Sequence, residues 1–120
     1  MRYYITKKWT FEAAHRLRDD SLTVQEQERL FGKCYRLHGH TYTLEVTVGA
    51  DMLNGAAMVL NFVDLSSIVR WRIVDSWDHR YLNELLGIEL TTAENLCRII
   101  WNDLQAELSA KYDDVVLEEV

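Results

Sequence analysis

Polar and apolar residues alternate early in the chain. Between Tyr4 and His15, Trp9, Phe11, Ala13 and His15 share one phase, and Lys8, Thr10, Glu12 and Ala14 share the other. Successive side chains of a strand point to opposite faces, so this stretch predicts a strand with one buried face. The same period returns from Thr41 to Val48, with Tyr42, Leu44, Val46 and Val48 turned to the core and Thr41, Thr43, Glu45 and Thr47 turned out. Between them, Asp19 to Leu30 reads as a polar loop and a short charged helix that stops near Gly32. From Val63 to Trp77 the period becomes helical, with Leu65, Ile68, Val69, Ile73 and Trp77 on one side. A second helix is predicted from Thr92 to Ser109, burying Ala93, Leu96, Cys97, Ile100, Leu104 and Leu108, with Thr91 and Glu94 as the capping box that starts it. The end, DVVLEEV, reads as a short strand in which Val115, Leu117 and Glu119 share a face. This order implies an α+β class: an antiparallel sheet packed against two helices.

The chain has 120 residues, 48% of them hydrophobic and 27% charged, a balance that suits a single domain over residues 1–120 with its own core. No linker, repeat or low-complexity stretch divides it. A formal net charge of -6 argues against nucleic acid as the main partner, because phosphate backbones need a basic face. There is no long apolar run, so the expectation is no membrane partner, no signal peptide and a cytoplasmic location. In that compartment Cys34 and Cys97 stay reduced, Cys97 as a core residue.

The chemistry gathers in KCYRLHGHTY, residues 33–42. His38 and His40 are two apart and in phase with Tyr42 and Leu44, while His15 ends the buried phase of the other strand. If the two strands pair, three imidazoles point inward from strand ends, the pattern of a catalytic zinc site whose fourth position stays open. One histidine on an apolar face is more often a satisfied core residue, and the separate arrival of His15 on the same side is what favours a metal. Cys34, four residues before His38, is either a fourth ligand that closes the site or a thiol available for proton transfer. Asp78 beside His79 suits a carboxylate-oriented imidazole. Glu119 continues an inward phase, and a buried carboxylate needs a partner such as a paired donor edge on a ligand.

The stretches FEAAHRL (11–17), CYRLHGHTY (34–42), GAAMVLNFVDL (55–65), WDHRYLN (77–83), TTAENL (91–96) and VVLEEV (115–120) together resemble the 6-pyruvoyl-tetrahydropterin and 6-carboxy-tetrahydropterin synthase family, in family order over nearly the whole chain. The resemblance implies the tunnelling fold, with sheets joined into a barrel in a homo-oligomer (a trimer or dimer of trimers) and active sites at subunit interfaces. It implies one zinc per subunit on His15, His38 and His40. It makes Cys34 the catalytic proton acceptor, His79 its relay, Asp78 the support of His79, and Glu119 the anchor of the pterin ring in a pocket lined by Thr92. Three residues between Cys34 and His38 resemble the 6-carboxy-forming enzymes of queuosine and deazapurine pathways. The implied reaction takes 7,8-dihydroneopterin triphosphate to 6-carboxy-5,6,7,8-tetrahydropterin, acetaldehyde and triphosphate. LTVQEQERLFGKC instead resembles the 6-pyruvoyl enzymes, which eliminate triphosphate and keep all the carbons. Ala93, where the family usually has serine or threonine, leaves room for a third alternative, a non-catalytic zinc or pterin-binding module. Asn61 stands where aspartate is usual. Arg16 and Arg36 are candidate partners of the triphosphate.

Overall fold

A computed structural model describes residues 1–120. Strands β1 (Tyr3–His15) and β2 (His38–Ala50) pair antiparallel along their whole length, with Tyr3 opposite Ala50 and His15 opposite His38. The short strand β3 (Val116–Glu119) adds antiparallel to the other edge of β2, giving the order β1-β2-β3. The helices lie between β1 and β2 or between β2 and β3. Helix α1 (Val24–Phe31) leads into a 3₁₀ turn, Gly32–Tyr35. Next come α2 (Phe62–Val69), a π-helical segment (Arg70–Val74) and α3 (Asp75–Trp77). Helices α4 (Leu82–Leu86) and α5 (Ala93–Lys111) follow. This is the α+β arrangement expected, with the long helices on one face of the sheet.

Why these residues bury that face follows from their periods. Trp9, Phe11, Ala13, Leu44, Val46 and Val48 supply the sheet side of the core, and Leu65, Ile68, Val69, Ile73, Leu96, Ile100 and Leu104 supply the helix side. The π segment re-aims the apolar face of the α2–α3 rod. An uninterrupted α-helix carrying Leu65, Ile68 and Val69 inward would next turn residue 72 to the core. The wider turn passes that place to Ile73, Val74 and Trp77. Arg72 is left on the flank, where it meets Asp103 at 3.0 Å and Glu107 at 3.6 Å on α5. Asn61 caps α2 by accepting from the Val63 N–H at 2.8 Å, a task aspartate performs equally well.

Three expectations need correction. The cap of α5 is Thr92, whose hydroxyl accepts from the Asn95 N–H, and Thr91 lies one residue outside the helix, fully buried. Ala93 and Cys97 are exposed rather than in the core, because α5 buries a strict i, i+4 stripe of Leu96, Ile100, Leu104 and Leu108 and both sit off it. Glu119 is exposed as well. A register irregularity between Thr47 and Val48 sets Leu117 opposite Val48 but Glu119 opposite Thr47, an outward position, so the bulge breaks the alternation that would have carried Glu119 inward. Helix α4, closed by left-handed Gly87, was not anticipated, since a helix of five residues is too short to display a period.

Replacing Ile73, 0% exposed, by alanine should destabilise the chain by about 2–5 kcal/mol. Val63→Ala, at a position 69% exposed on the same rod, should shift stability by no more than about 0.5 kcal/mol. Denaturant unfolding of the two variants checks both values.

Candidate metal centre and its surroundings

The β1–β2 ladder brings His15 and His38 face to face at the strand ends, and His40 returns to the face of His38. Ring centroids lie 4.6 Å apart for His15–His38, 4.8 Å for His38–His40 and 5.1 Å for His15–His40. Candidate ligand atoms of all three lie within 4.8 Å of one another, so the trio could hold a metal ion. The Nε2 atoms of His15 and His40 are 3.1 Å apart. Zinc–nitrogen bonds of about 2.0–2.1 Å in a tetrahedron set ligand nitrogens roughly 3.3 Å apart, a spacing the His15–His40 pair already approaches. Cys34 is not part of the cluster, so three ligands leave a position open.

Outer hydrogen bonds aim the rings. The Nδ1 of His15 lies 3.0 Å from the Thr91 carbonyl and 3.0 Å from its hydroxyl, and the Nδ1 of His38 lies 2.6 Å from the Arg36 carbonyl. A carbonyl only accepts, so each Nδ1 carries the proton and each Nε2 keeps its lone pair. Burial pushes the His15 pKa below the ordinary imidazole value. The Thr91 carbonyl opposes that shift, and the His38 and His40 rings add to it. His15 is therefore neutral near pH 7 and ready to ligate.

Thr91 and Asn83, both buried, had not been recognised from the sequence as part of this site. The Thr91 hydroxyl lies 3.1 Å from the Arg16 carbonyl and 3.2 Å from the Asn83 Oδ1. Asn83 accepts from the Arg16 N–H at 3.0 Å and donates to the Arg16 carbonyl at 2.7 Å. Both backbone groups of Arg16 are thus held by side chains from one 83–91 segment, and His15 is fixed with them. The only sequence signal was a polar residue inside WDHRYLN and a second threonine beside a helix cap.

The remaining candidates fall into separate places. Cys34 is an exposed free thiol on the 3₁₀ turn, whose carbonyl accepts from the Leu17 N–H at 2.7 Å. Asp78 and His79 do form a pair, Oδ1 to Nδ1 at 3.0 Å. Asp78 also accepts from the Glu12 N–H at 2.9 Å. That backbone bond first, and His79 second, hold its carboxyl below the usual carboxylate range. The pair flanks the edge of β1 away from β2, where the His79 N–H donates to the Glu12 carbonyl and the Ala14 N–H to the Arg80 carbonyl. There His79 takes a left-handed φ of 59°, uncommon for a residue with a side chain, and borders an open cleft of ≈ 570 Å³ with Glu12, Gly39, Thr41 and Arg80. Thr92, half-buried, spends its hydroxyl on the helix cap. Glu119 faces Thr47, seven residues along β2 from His40 and so roughly 23 Å away at the spacing of an extended strand.

Thr91→Val keeps the shape but removes the hydroxyl that ties His15 to Arg16 and Asn83. It should cost about 1–3 kcal/mol of stability and weaken metal binding roughly 10- to 100-fold. Unfolding and competitive metal titration measure the two effects.

With this geometry in place, the likenesses to other proteins are informative. The family model described as 6-pyruvoyl tetrahydropterin synthase matches residues 4–120. The chain is 36% identical over 104 residues to a 6-pyruvoyl tetrahydrobiopterin synthase of Dictyostelium discoideum, covering 83% of this chain and 76% of that protein. It is 30% identical over 140 aligned positions to a 6-carboxy-5,6,7,8-tetrahydropterin synthase of Haemophilus influenzae, covering 98% and 92%. Among solved structures, a Caenorhabditis elegans 6-pyruvoyl tetrahydropterin synthase superposes with a TM-score of 0.82 at 27% identity, covering 100% of this chain and 90% of that one. The chain belongs to the 6-pyruvoyl tetrahydropterin synthase family.

Proposed function

We propose that the chain is a zinc-dependent pterin synthase that takes 7,8-dihydroneopterin triphosphate and water to 6-carboxy-5,6,7,8-tetrahydropterin, acetaldehyde and triphosphate. The observation that carries this reading is the convergence of His15, His38 and His40, two of them with a protonated Nδ1 tied to a carbonyl and an Nε2 that keeps its lone pair. Bound zinc would supply Lewis-acid polarisation of the substrate side chain. Cys34 accepts a proton from that side chain, and His79, oriented by Asp78, passes protons to and from the ring region. Glu119 pairs with the donor edge of the pterin, and Thr92 lines the ring pocket.

Within one chain Cys34 and the Asp78–His79 pair lie on opposite sides of β1, and Glu119 lies far along β2. These separations support a site completed by neighbouring copies. The shape supports it too: the radius of gyration is 17.1 Å, against roughly 14 Å expected for a compact chain of this length. The stretch of β1 from Tyr3 to Thr10 carries no strand on its outer side, an edge that joining sheets into a barrel would cover. Trimers or stacked trimers fit this geometry.

The 6-pyruvoyl reaction is the second reading. Helix α1, built from the stretch that resembles the 6-pyruvoyl enzymes, and the similarity to proteins of that name favour it. The three-residue spacing from Cys34 to His38 favours the carboxy-forming reaction, because that loop carries the thiol. No helix is long and apolar enough to cross a membrane.

Incubation of the zinc-loaded protein with dihydroneopterin triphosphate, followed by mass spectrometry, should yield acetaldehyde and the 6-carboxy product. A pyruvoyl product without acetaldehyde would establish the second reading, and unchanged substrate with zinc bound would leave a binding module. Cys34→Ala should keep its zinc and lose turnover by roughly 10²-fold or more, while His38→Ala should lose both. Metal analysis alongside the rate assay separates the two variants. Metal affinity should also fall on acidification through the depressed pKa of His15, as protons compete for its ring nitrogen.

A further inference from the structure

We infer that Arg16 is the anchor of the polyphosphate group of the substrate, held ready against the Cys34 turn one residue after His15. The inference rests on the pterin triphosphate reading and assigns one residue within it.

Three arginines bury an Nε that finds no hydrogen-bond acceptor: Arg16, Arg18 and Arg72. Two have a carboxylate in reach, since Arg18 meets Asp20 at 3.3 Å and Arg72 meets Asp103 at 3.0 Å. Arg16 makes no ion pair at all, in a chain where acidic side chains outnumber Lys and Arg by 19 to 13. A half-buried guanidinium with no anion leaves its donor fork unused, and that fork matches phosphate oxygens.

The arginine is also held in place. Its guanidinium lies over the Tyr35 ring, 4.4 Å from the centroid, and its backbone N–H and carbonyl are both bound by Asn83. Thr91 reaches the same carbonyl and the neighbouring His15 ring. A cation so restrained loses little freedom when it binds an anion, the condition under which one arginine contributes most. Tyr35 follows Cys34 directly, so the same turn carries the thiol and the platform of the cation. Lys33 and Arg36, exposed on either side and also without ion pairs, extend the positive surface.

The test measures affinities in the zinc-loaded full chain carrying Cys34→Ala, which holds ligand without turnover. Dihydroneopterin triphosphate should bind roughly 10- to 100-fold more tightly than unphosphorylated dihydroneopterin. Arg16→Gln should remove most of that advantage and leave the unphosphorylated ligand bound as before. Arg16→Lys, which keeps the charge but loses the fork, should recover only part of it. An Arg16→Gln protein that keeps the full phosphate advantage overturns the assignment. If Arg16→Gln does not fold, Tyr35→Leu removes only the platform and must still reduce the advantage, and an unchanged advantage overturns the assignment. If unphosphorylated dihydroneopterin fails to bind any of these proteins, the pterin reading falls on its own. Inorganic triphosphate then decides: weaker binding to Arg16→Gln upholds the anion site, and equal binding overturns it.

Discussion

The pairing of His15 with His38 across the β1–β2 ladder is the constraint on which the rest of the molecule depends. Side chains on a strand repeat every two residues, so a slip of one position would turn His38 and His40 away from His15 and expose Leu44, Val46 and Val48 at once. The core and the histidine cluster are therefore specified by the same register. Burial of the apolar phase along both strands holds the register, and the imidazoles at the strand ends inherit their geometry from it. Thirteen paired positions support the arrangement, far more than a local loop could supply.

Because the strands are long and regular, they were also the part most legible in the sequence. Alternation from Trp9 to His15 and from Tyr42 to Val48 is an unambiguous signal, and it placed three histidines on one face before any contact was known. What could not be read has particular causes. The π segment of the α2–α3 rod is invisible to a period count, because Ile73 and Trp77 fit an ordinary helical stripe about as well. The bulge opposite Thr47 is one residue of extra backbone in β3, and nothing in VVLEEV marks it, yet it decides which way Glu119 points. Thr91 and Thr92 offer the same chemistry to a helix start, and only the position of His15 determines that Thr92 caps while Thr91 is buried.

The polar cluster formed by Asn83, Thr91 and His15 shows how a site can be firm while the surface around it stays open. Each buried group there has a partner, so removal of one leaves another unsatisfied inside the protein. The 83–91 segment is otherwise irregular, built from a one-turn helix and a loop. Its order comes from these hydrogen bonds rather than from a period, which is why periodicity did not reveal it. The cluster also couples two functions that sequence reading treated apart: the tautomer of a candidate metal ligand and the placement of the arginine beside it.

The division of the sheet by β1 has a further consequence for how the chemistry is assembled. On one side lie His38 and His40 of β2 and the Cys34 turn, with its thiol and the Tyr35 ring that stacks on Arg16. On the other, the Asp78–His79 pair is fastened to the outer edge of β1 by backbone bonds, with His79 in a left-handed conformation that costs energy. That cost is compensated locally by the bonds to Glu12, so the conformation is built into the single chain and does not wait for a ligand. Before this segment, from Tyr3 to Thr10, the outer edge of β1 carries no strand and is open to a packing partner. A second copy of the chain that joined its sheet there would cover this strand edge.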